Sequence, residues 1–423
     1  MGFGQGLSGL NAASQNLDVI GNNIANSGTV GFKSGSATFA DVYASSRVGL
    51  GVQVASINQR FTTGIVSTSG NQFDMAIDGA KGLFVVTQPN GATLYTRNGQ
   101  FLADKDHKIV NAQGQQLMGY APGGTNLIGM TVPVGNIAPQ ATNTLTNKVN
   151  VDANATVIVE AARPFDPNDG ESFSKMTPLT VYDSLGNQHT VEQYYVKRAV
   201  TGVAPNEVNN WDVYIKVDGN IVDAATGAVV PPVVPVVANS YPPAAQLRFD
   251  KEGRLDPATA NYVLNYNVPV IGGAAAQPLA INVSYGGSTQ FGGSYSQDFV
   301  QNGYATGEYA SMSIGANGEL IANYTNGAKQ TMGTLALADF ANLQGLQPVG
   351  GNAWAETANS GQPIYGTPGS NGLATIKGQA VEESNVDMSQ ELVNMIIAQR
   401  TYQANAQTIK TQDQVLQTLI TLR

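Results

Sequence analysis

The stretch SGLNAASQNLDVIGNNIANSGTVGFK, residues 8–33, has the apolar spacing of a helix but almost no charge. Asp18 is the one charged residue between Met1 and Phe32, and Asn, Gln and Ser occupy positions where a helix surface usually carries Lys and Glu. An amide exchanges its hydrogen bonds to water for bonds to other amides at little net cost, whereas burying an unpaired charge costs several kcal/mol. The stretch therefore predicts a helix with neighbours on more than one side.

The apolar residues of this segment recur every three to four positions from Phe3, which predicts one face of an α-helix. That face consists of Leu7, Leu10, Leu17, Ile20 and Ile24. The helix should end near Asn26-Ser27-Gly28, because Asn and Gly adopt left-handed capping conformations readily.

A second helix is predicted at the other end, where residues 387–423 contain neither Gly nor Pro. Asn385 or Asp387 would cap it, and about 37 residues would make a rod of roughly 55 Å. Its apolar residues follow a heptad-like spacing: Met388, Leu392, Met395, Tyr402, Ile409, Leu416 and Ile420. We predict that this face packs on the N-terminal apolar face, within one subunit or between subunits.

The region between the helices is predicted to be β-rich. In 72–145 and 284–365, short apolar runs are separated by turn pairs such as Asn98-Gly99 and Asn317-Gly318, which indicate hairpins of one β domain. The segment 146–283 differs in character and is predicted to be a separate, inserted β domain, with VVPPVVPVV as an extended connection. The fold class is therefore mainly β with α-helical termini, in which nested β domains bring the two helices together as a coiled-coil-like core.

Composition excludes several classes of function. A net charge of −9 and a pI near 4.7 lack the basic surface that nucleic-acid binding requires, so no nucleic-acid partner is expected. No run of about 20 apolar residues predicts membrane insertion, and no secretory signal peptide is recognisable, so export would need another route. The absence of Cys leaves the redox compartment open.

A search for reactive groups predicts no catalytic, cofactor or metal site. His107 and His189 are the only histidines, and each is assigned to a surface or a hairpin. Asp183, Ser184 and His189 share one predicted hairpin, but a β-turn explains them better than a triad that must converge in a pocket. DPNDG, residues 166–170, reads as an acidic turn and not a calcium loop, and GGSTQFGGS, residues 286–294, as a flexible linker.

The two termini together resemble the flagellar axial family of rod and hook proteins. The N-terminal stretch is similar to the signature of that family, and EESNVDMSQELVNMIIAQRTYQANAQTIKTQDQVLQTLITLR, residues 382–423, is similar to its C-terminal helix. AIDGAKGLFVV, YTRNGQF and NAQGQQLMGY also match. Because 146–283 forms an extra domain, the chain resembles the hook type of this family more than the shorter rod type.

The resemblance implies a structural subunit and not an enzyme. Hook subunits are expected to form a homopolymer, a curved flexible tube that transmits torque, exported without a cleaved signal peptide to the extracellular part of the flagellum. The implied partners are a distal rod protein, a hook cap, hook-filament junction proteins and the flagellar type III export apparatus. The alternatives are a distal rod protein of the basal body and a secreted β-rich adhesin.

The resemblance also implies a three-part division and an export motif. The axial core would comprise 1–71 and 366–423, the first β domain 72–145 and 284–365, and the outer β domain 146–283. FADVY resembles a short export-gate motif, with Phe39 and Tyr43 as its apolar residues. The sequence leaves open whether the stretch from Ser34 to Gln72 is ordered.

Overall fold

The computed structural model describes residues 2–42, 51–202, 207–233, 235–268 and 276–421. Helix α1 spans Gly2–Ala25, and helix α2 spans Met388–Thr421, about 51 Å at 1.5 Å per residue. Of the two predicted caps, Asp387 is the one used, because its Oδ1 accepts from Gln390 N at 3.1 Å. The predicted helical ends are confirmed, and so is the mainly β region between them.

Short strands follow α1 in close succession. They are β1 Gly35–Val42, β2 Gly51–Gln59, β3 Val66–Thr68, β4 Met75–Asp78, β5 Leu83–Thr87, β6 Thr93–Thr96, β7 Phe101–Ala103, β8 Ile109–Asn111, β9 Gln116–Tyr120 and β10 Leu127–Gly129. β1 and β2 form an antiparallel hairpin, so the described part of the stretch after α1 is ordered in strands.

The strands of the middle of the chain are β11 Asn136–Ile137, β12 Thr144–Asp152, β13 Lys175–Tyr182, β14 Gln188–Lys197, β15 Asn209–Val217, β16 Asn220–Ile221, β17 Ala245–Phe249, β18 Asn261–Tyr266, β19 Leu279–Ser284, β20 Thr289–Phe291 and β21 Ser296–Gln301. The middle of the chain thus contains the longest of the described strands, β14.

The chain then returns to short strands before α2. They are β22 Gly307–Ile314, β23 Glu319–Tyr324, β24 Lys329–Leu335, β25 Leu337–Asp339, β26 Gln347–Gly350, β27 Ala353–Ala355, β28 Ile364–Gly366, β29 Thr375–Gly378 and β30 Ala380–Glu382. The last two pair with early strands, β29 with β4 and β30 with β3, so both ends of the chain meet in one unit.

The first of two compact units comprises Met1–Val134, Tyr309–Asn323 and Lys329–Arg423. Its main sheet follows the order β22-β23-β24-β9-β5-β6-β27-β26, and β5 is buried on both faces. Phe84 and Val86 belong to one hydrophobic cluster, whereas Leu83 and Val85 belong to another, as the alternation of side chains along a strand requires.

The second unit comprises Gly135–Glu308 and Tyr324–Ala328, and it is a β-sandwich. One sheet has the order β18-β19-β12-β20 with β21 on β12, and the other has β13-β14-β15-β16 with β17 on β15. A single cluster joins side chains of both sheets, including Val149, Ile281, Trp211 and Phe249. The three-part division predicted from the sequence stays a prediction beside this two-unit description.

One expectation about the second unit was wrong. GGSTQFGGS contains β20, which pairs in parallel with β12, and within it Ser288 and Gln290 are buried. Glycine and serine at its two ends suggested a linker. In the structure Thr289 to Phe291 form the edge strand of a sheet, and their partner β12 lies about 140 residues earlier in the chain, so no local pattern indicated the pairing.

Candidate assembly interface

The two terminal helices pack against each other in antiparallel fashion. A Cβ atom placed on Gly6 would lie 3.1 Å from Ile409 Cγ1, and at the other end Asn23 Nδ2 lies 3.4 Å from Glu391 Oε1. Residue numbers thus rise along α1 while their partners fall along α2. Since α1 begins at Gly2, the last turns of α2 extend beyond it.

Small residues allow the close approach of the helices. Ala12, Ala13 and Ala398 are buried, and a Cβ atom on Gly9 would lie only 2.8 Å from Asn405 Oδ1. Among the predicted N-terminal face residues, Ile20 is fully buried, whereas Leu10, Leu17 and Ile24 are half-buried. The sequence analysis did not single out Gly6, Gly9 or Ala398, although small residues at a three-to-four spacing are a recognisable signal for close helix packing.

The other predicted apolar residues mostly point away from this contact. Ile409 and Met395 are half-buried. The exposed ones are Leu7, Met388, Leu392, Tyr402 and Leu416. The side chain of Ile420 lies outside the described residues. Within one chain, therefore, only part of the predicted contact between the two apolar faces is made. Packing of these faces between subunits stays a prediction.

The β1–β2 hairpin covers a second side of α1. Asn23 is 1% exposed, and its Oδ1 accepts from Gly35 N while its Nδ2 donates to Gly35 O, both at 2.8 Å. Near the other end of the hairpin, Ser8 Oγ accepts from Val52 N at 3.3 Å. Neutral polar side chains of α1 are thus used as buried backbone partners, which a charged residue could not be without a large desolvation cost.

Four large apolar side chains at the start of α2 are exposed on the side away from α1. We call this set the outer patch, and it consists of Met388, Leu392, Val393 and Ile396, each between 46% and 50% exposed. Contiguous exposed apolar surface of this kind marks an interaction site in a soluble protein.

A buried ion cluster ties the segments next to both helices together. Glu382 of β30 is 0% exposed and accepts from Lys33 Nζ at 2.5 Å and from Arg97 Nη1 at 2.9 Å. Gly64 N donates to the same carboxylate at 2.9 Å, and Lys33 Nζ also donates to Thr62 O. Burial lowers the pKa of Lys33 and of Arg97, and the adjacent carboxylate of Glu382 opposes that shift.

Relatives over the full length identify the family. The chain is 41% identical over 431 residues to the flagellar hook protein FlgE of Salmonella typhimurium, covering 100% of both chains. It is 42% identical over 434 residues to the flagellar hook protein FlgE of Escherichia coli K12, again covering 100% of both. The chain belongs to the flagellar hook protein family. A more distant hook protein, from Borreliella burgdorferi, is 31% identical over 466 residues, with 99% of this chain covered.

Family models match successive parts of this hook-family chain. Residues 5–33 match the flagella basal body rod protein model, and 76–159 match the flagellar hook protein FlgE/F/G D1 domain. Residues 150–304 match the flagellar basal body protein FlaE D2 domain, and 377–422 match the flagellar basal body rod FlgEFG protein C-terminal model. The crystal structure of the Helicobacter pylori flagellar hook protein FlgE2 shares the fold, with a TM-score of 0.53 at 15% identity, covering 75% of this chain and 99% of the other.

The two histidines of the hook-family chain lie in different surroundings. His107 is exposed in a turn with φ of 59°. His189 lies in the predicted hairpin but is 1% exposed, with Nδ1 2.6 Å from Asp218 Oδ2 and Nε2 3.4 Å from Asp183 Oδ2. Ser184 Oγ accepts from Gln277 N instead of joining a triad. Among the described residues, no group of three or more His, Asp or Glu side chains is placed to hold a metal ion.

The predicted export motif begins on β1. Phe39 lies on β1 and is 47% exposed, whereas Tyr43 lies outside the described residues. No helix in the described ranges is both long and apolar enough to cross a bilayer.

Proposed function

We propose that this chain is the structural subunit of a flagellar hook, which self-assembles into a curved, flexible tube that transmits torque from motor to filament. The observation that carries the proposal is the outer patch on α2, in a chain whose full-length relatives are hook proteins. Each patch residue would contribute roughly 1.5 to 3 kcal/mol of transfer free energy when it is buried by another subunit.

The terminal helices form the assembly core of this tube. Ordering a residue costs about 1 to 2 kcal/mol in backbone entropy, and one chain gives α2 contacts on only part of its surface. The remaining apolar residues are therefore buried between subunits, including Leu7, Tyr402 and Leu416, which one chain leaves exposed.

The assembly context follows from the family. The chain forms a homopolymer that meets a distal rod protein, a hook cap and hook-filament junction proteins. It passes through the flagellar type III export apparatus without a cleaved signal peptide and works outside the cell. Phe39 and Tyr43 contribute to recognition by that apparatus. The protein performs no catalysis, because its role is mechanical.

The two alternatives lose support from the comparisons. A distal rod protein or a secreted adhesin would not be expected to match hook proteins along 100% of both chains. The match of 150–304 to a D2 domain model supports the proposal that 146–283 forms an inserted domain.

Electron microscopy of the purified chain under polymerising salt tests the proposal. The full chain should form curved tubes, and Ile396→Asp should form none, because it places a charge in the outer patch. Gln407→Asp is the matched control, since Gln407 is exposed three turns further along the same side of α2. Failure of the full chain to polymerise, or equal polymerisation of both variants, would contradict this account.

A further inference from the structure

A cavity of about 760 Å³ lies within the second unit, where β12 ends and β13 begins. Its walls include Val151 at the end of β12, Ala155 and Phe173 from the connection that follows, Trp211 of β15, and Tyr295. Sites for small molecules are concave and mostly apolar, measure about 300 to 1,000 Å³, and carry a few polar groups that orient the ligand. The cavity has that size and an apolar lining, so its polar groups decide what it can bind.

Two lysines and a tryptophan beside the cavity share one face of the sheet that contains β13, β14 and β15. Lys175 of β13 pairs with Tyr195 of β14, and Lys197, two residues further along β14, pairs with Trp211 of β15. Opposite residues of antiparallel strands share a face, and so do residues two apart on one strand. This face is the inner one, because the side chain of Trp211 belongs to the cluster between the two sheets.

Lys197 is a buried cation that makes no ion pair with any described residue. It is 7% exposed, and its Nζ donates to Ala153 O at 2.6 Å and to Ala155 O at 3.0 Å. These two bonds hold the wall of the cavity to the end of β14. A buried ammonium group is costly unless a negative charge lies close to it, so Lys197 favours an anion in the adjacent cavity.

The indole of Trp211 is a buried donor that also lacks a partner. Trp211 is 1% exposed, and its Nε1–H makes no hydrogen bond within the described part of the chain. By contrast, Nε1 of Trp354, the other tryptophan, donates to Gln59 Oε1 at 2.6 Å. Because buried donors are almost always paired, Trp211 favours a ligand that brings an acceptor oxygen.

The lining of the cavity carries two cations and two carboxylates, which are Asp152, Arg163, Glu171 and Lys175. Arg163 pairs with Glu171, and its Nε also lies 3.7 Å from Asp169 Oδ2. Asp152 Oδ1 accepts from Asn154 N at 2.8 Å. Lys175 makes no ion pair within the described ranges, and its Nζ lies 5.6 Å from the centre of the Tyr295 ring. Lys175 is therefore the lining cation that remains to bind a negative charge.

We infer that this cavity binds a small carboxylate with an apolar body. The carboxylate pairs with Lys175 and supplies the acceptor for Trp211 Nε1, while the apolar body packs on Val151 and Phe173. Lys197 stabilises the bound anion through its charge. The inference goes beyond the proposed hook function and does not depend on it, because the cavity belongs to the second unit and the outer patch to the first.

Two-dimensional ¹H–¹⁵N spectra of the full chain, labelled at tryptophan and kept at low salt, test the inference, because the chain has only two indole groups. Octanoate is the probe, and 1-octanol, with the same chain length and no charge, is its comparison. Octanoate should move the Trp211 signal downfield without moving that of Trp354, and octanol should bind at least about tenfold more weakly. Trp354→Phe assigns the two signals.

Lysine substitutions test the position of the carboxylate. Lys175→Gln should weaken octanoate binding about tenfold, because the ligand loses a charge-assisted hydrogen bond. Lys148→Gln is the matched control and should leave binding unchanged, since Lys148 lies on β12 outside the lining. Both side chains are exposed, so neither substitution should disturb the fold.

Several results would overturn the inference. They are an unchanged Trp211 signal throughout the titration, equal movement of both indole signals, and equal binding of octanoate and octanol. Equal octanoate binding by Lys175→Gln and Lys148→Gln would overturn it as well. The hook function would stand in each case, since electron microscopy of the polymer tests that function separately.

Discussion

At the scale of single residues, Glu382 links segments from the two ends of the chain. Its carboxylate accepts from Lys33, which is 349 positions earlier, and from Arg97, and all three side chains are at most 3% exposed. A buried pair of this kind is not necessarily stabilising compared with apolar residues, but removing one partner leaves uncompensated charge. We therefore expect the cluster to contribute to how specifically these segments meet.

Glu382→Ala should lower the free energy of unfolding of the first unit by about 3 to 5 kcal/mol, because two buried cations lose their partner. Urea denaturation followed by the fluorescence of Trp354, which is buried in that unit, measures the change. Glu383→Ala is the control, because Glu383 is the next residue in the chain and its side chain is exposed. Equal losses from the two variants would rule out a special role for the cluster.

Asp183 makes the second unit sensitive to acid. Burial alone would raise the pKa of its carboxyl, but hydrogen bonds from the Asn187 side chain, from the Asn187 and Leu185 N–H groups and from His189 outweigh it, so the pKa lies below its ordinary 3.8. A depressed pKa contributes stability that is complete above 3.8 and is lost as pH falls through the folded-state value.

Asp183→Asn should therefore flatten the pH dependence of stability below about pH 4. The emission of Trp211, in a Trp354→Phe background, reports the unfolding of the second unit as pH is lowered. Asp166→Asn, in the acidic turn, provides the comparison. An unchanged slope after Asp183→Asn would show that other carboxyls control acid unfolding.

At the scale of elements, the packing of the two helices depends on glycine residues of α1, which have no side chain. Gly9 lies against Asn405, whereas a Cβ atom on Gly21 would meet nothing within 4 Å. Both glycines lie inside α1, so replacement by Ala gives each the same gain in helix propensity, about 1 kcal/mol. Only their surroundings differ, so the contact with α2 decides whether the substitution raises or lowers the stability of the helix pair.

Gly21→Ala should raise the melting temperature of the helices, and Gly9→Ala should lower it, because Asn405 must move from its contact. Far-ultraviolet circular dichroism of the full chain measures both. Asn405→Ala combined with Gly9→Ala should recover the gain, since it removes the colliding amide. A rise in both single variants would argue against close packing at Gly9.

At the scale of the whole molecule, we expect the helices to make the assembly contacts and the β-rich remainder of the chain to fold independently of them. The strands of each unit have their own hydrophobic clusters. The residues of the ion cluster lie between the two helices in the sequence, from Lys33 to Glu382. The proposed assembly surface lies on the helices, where α2 exposes the outer patch. Removal of the helices should therefore abolish the polymer without unfolding the rest.

A chain without 1–32 and 387–423 should be a folded monomer under conditions in which the full chain forms tubes. Analytical ultracentrifugation gives the mass, and the near-ultraviolet circular dichroism of the buried aromatic residues reports the folded state. Tubes from the truncated chain would place the assembly contacts on the β units instead.

The sequence by itself determined the terminal helices, the β-rich middle and the family signatures, because apolar periodicity, turn pairs and capping residues act within a few positions of each other. It also predicted that α1 would have several neighbours, and Asn23 shows the reason, since its amide serves as a partner for the backbone of the hairpin.

Only the tertiary structure decided which residues face which. The heptad-like spacing places Leu392 on the apolar face of α2, but it does not say whether α1 or another subunit covers that side chain. In the structure Leu392 is exposed, and the contact with α2 is made by Gly9 and Ala13 of α1. Likewise, no local pattern relates Lys33 to Glu382. Residues hundreds of positions apart meet because the hydrophobic cores of the units bring their strands together. Sequence patterns over a few neighbouring positions do not contain that information.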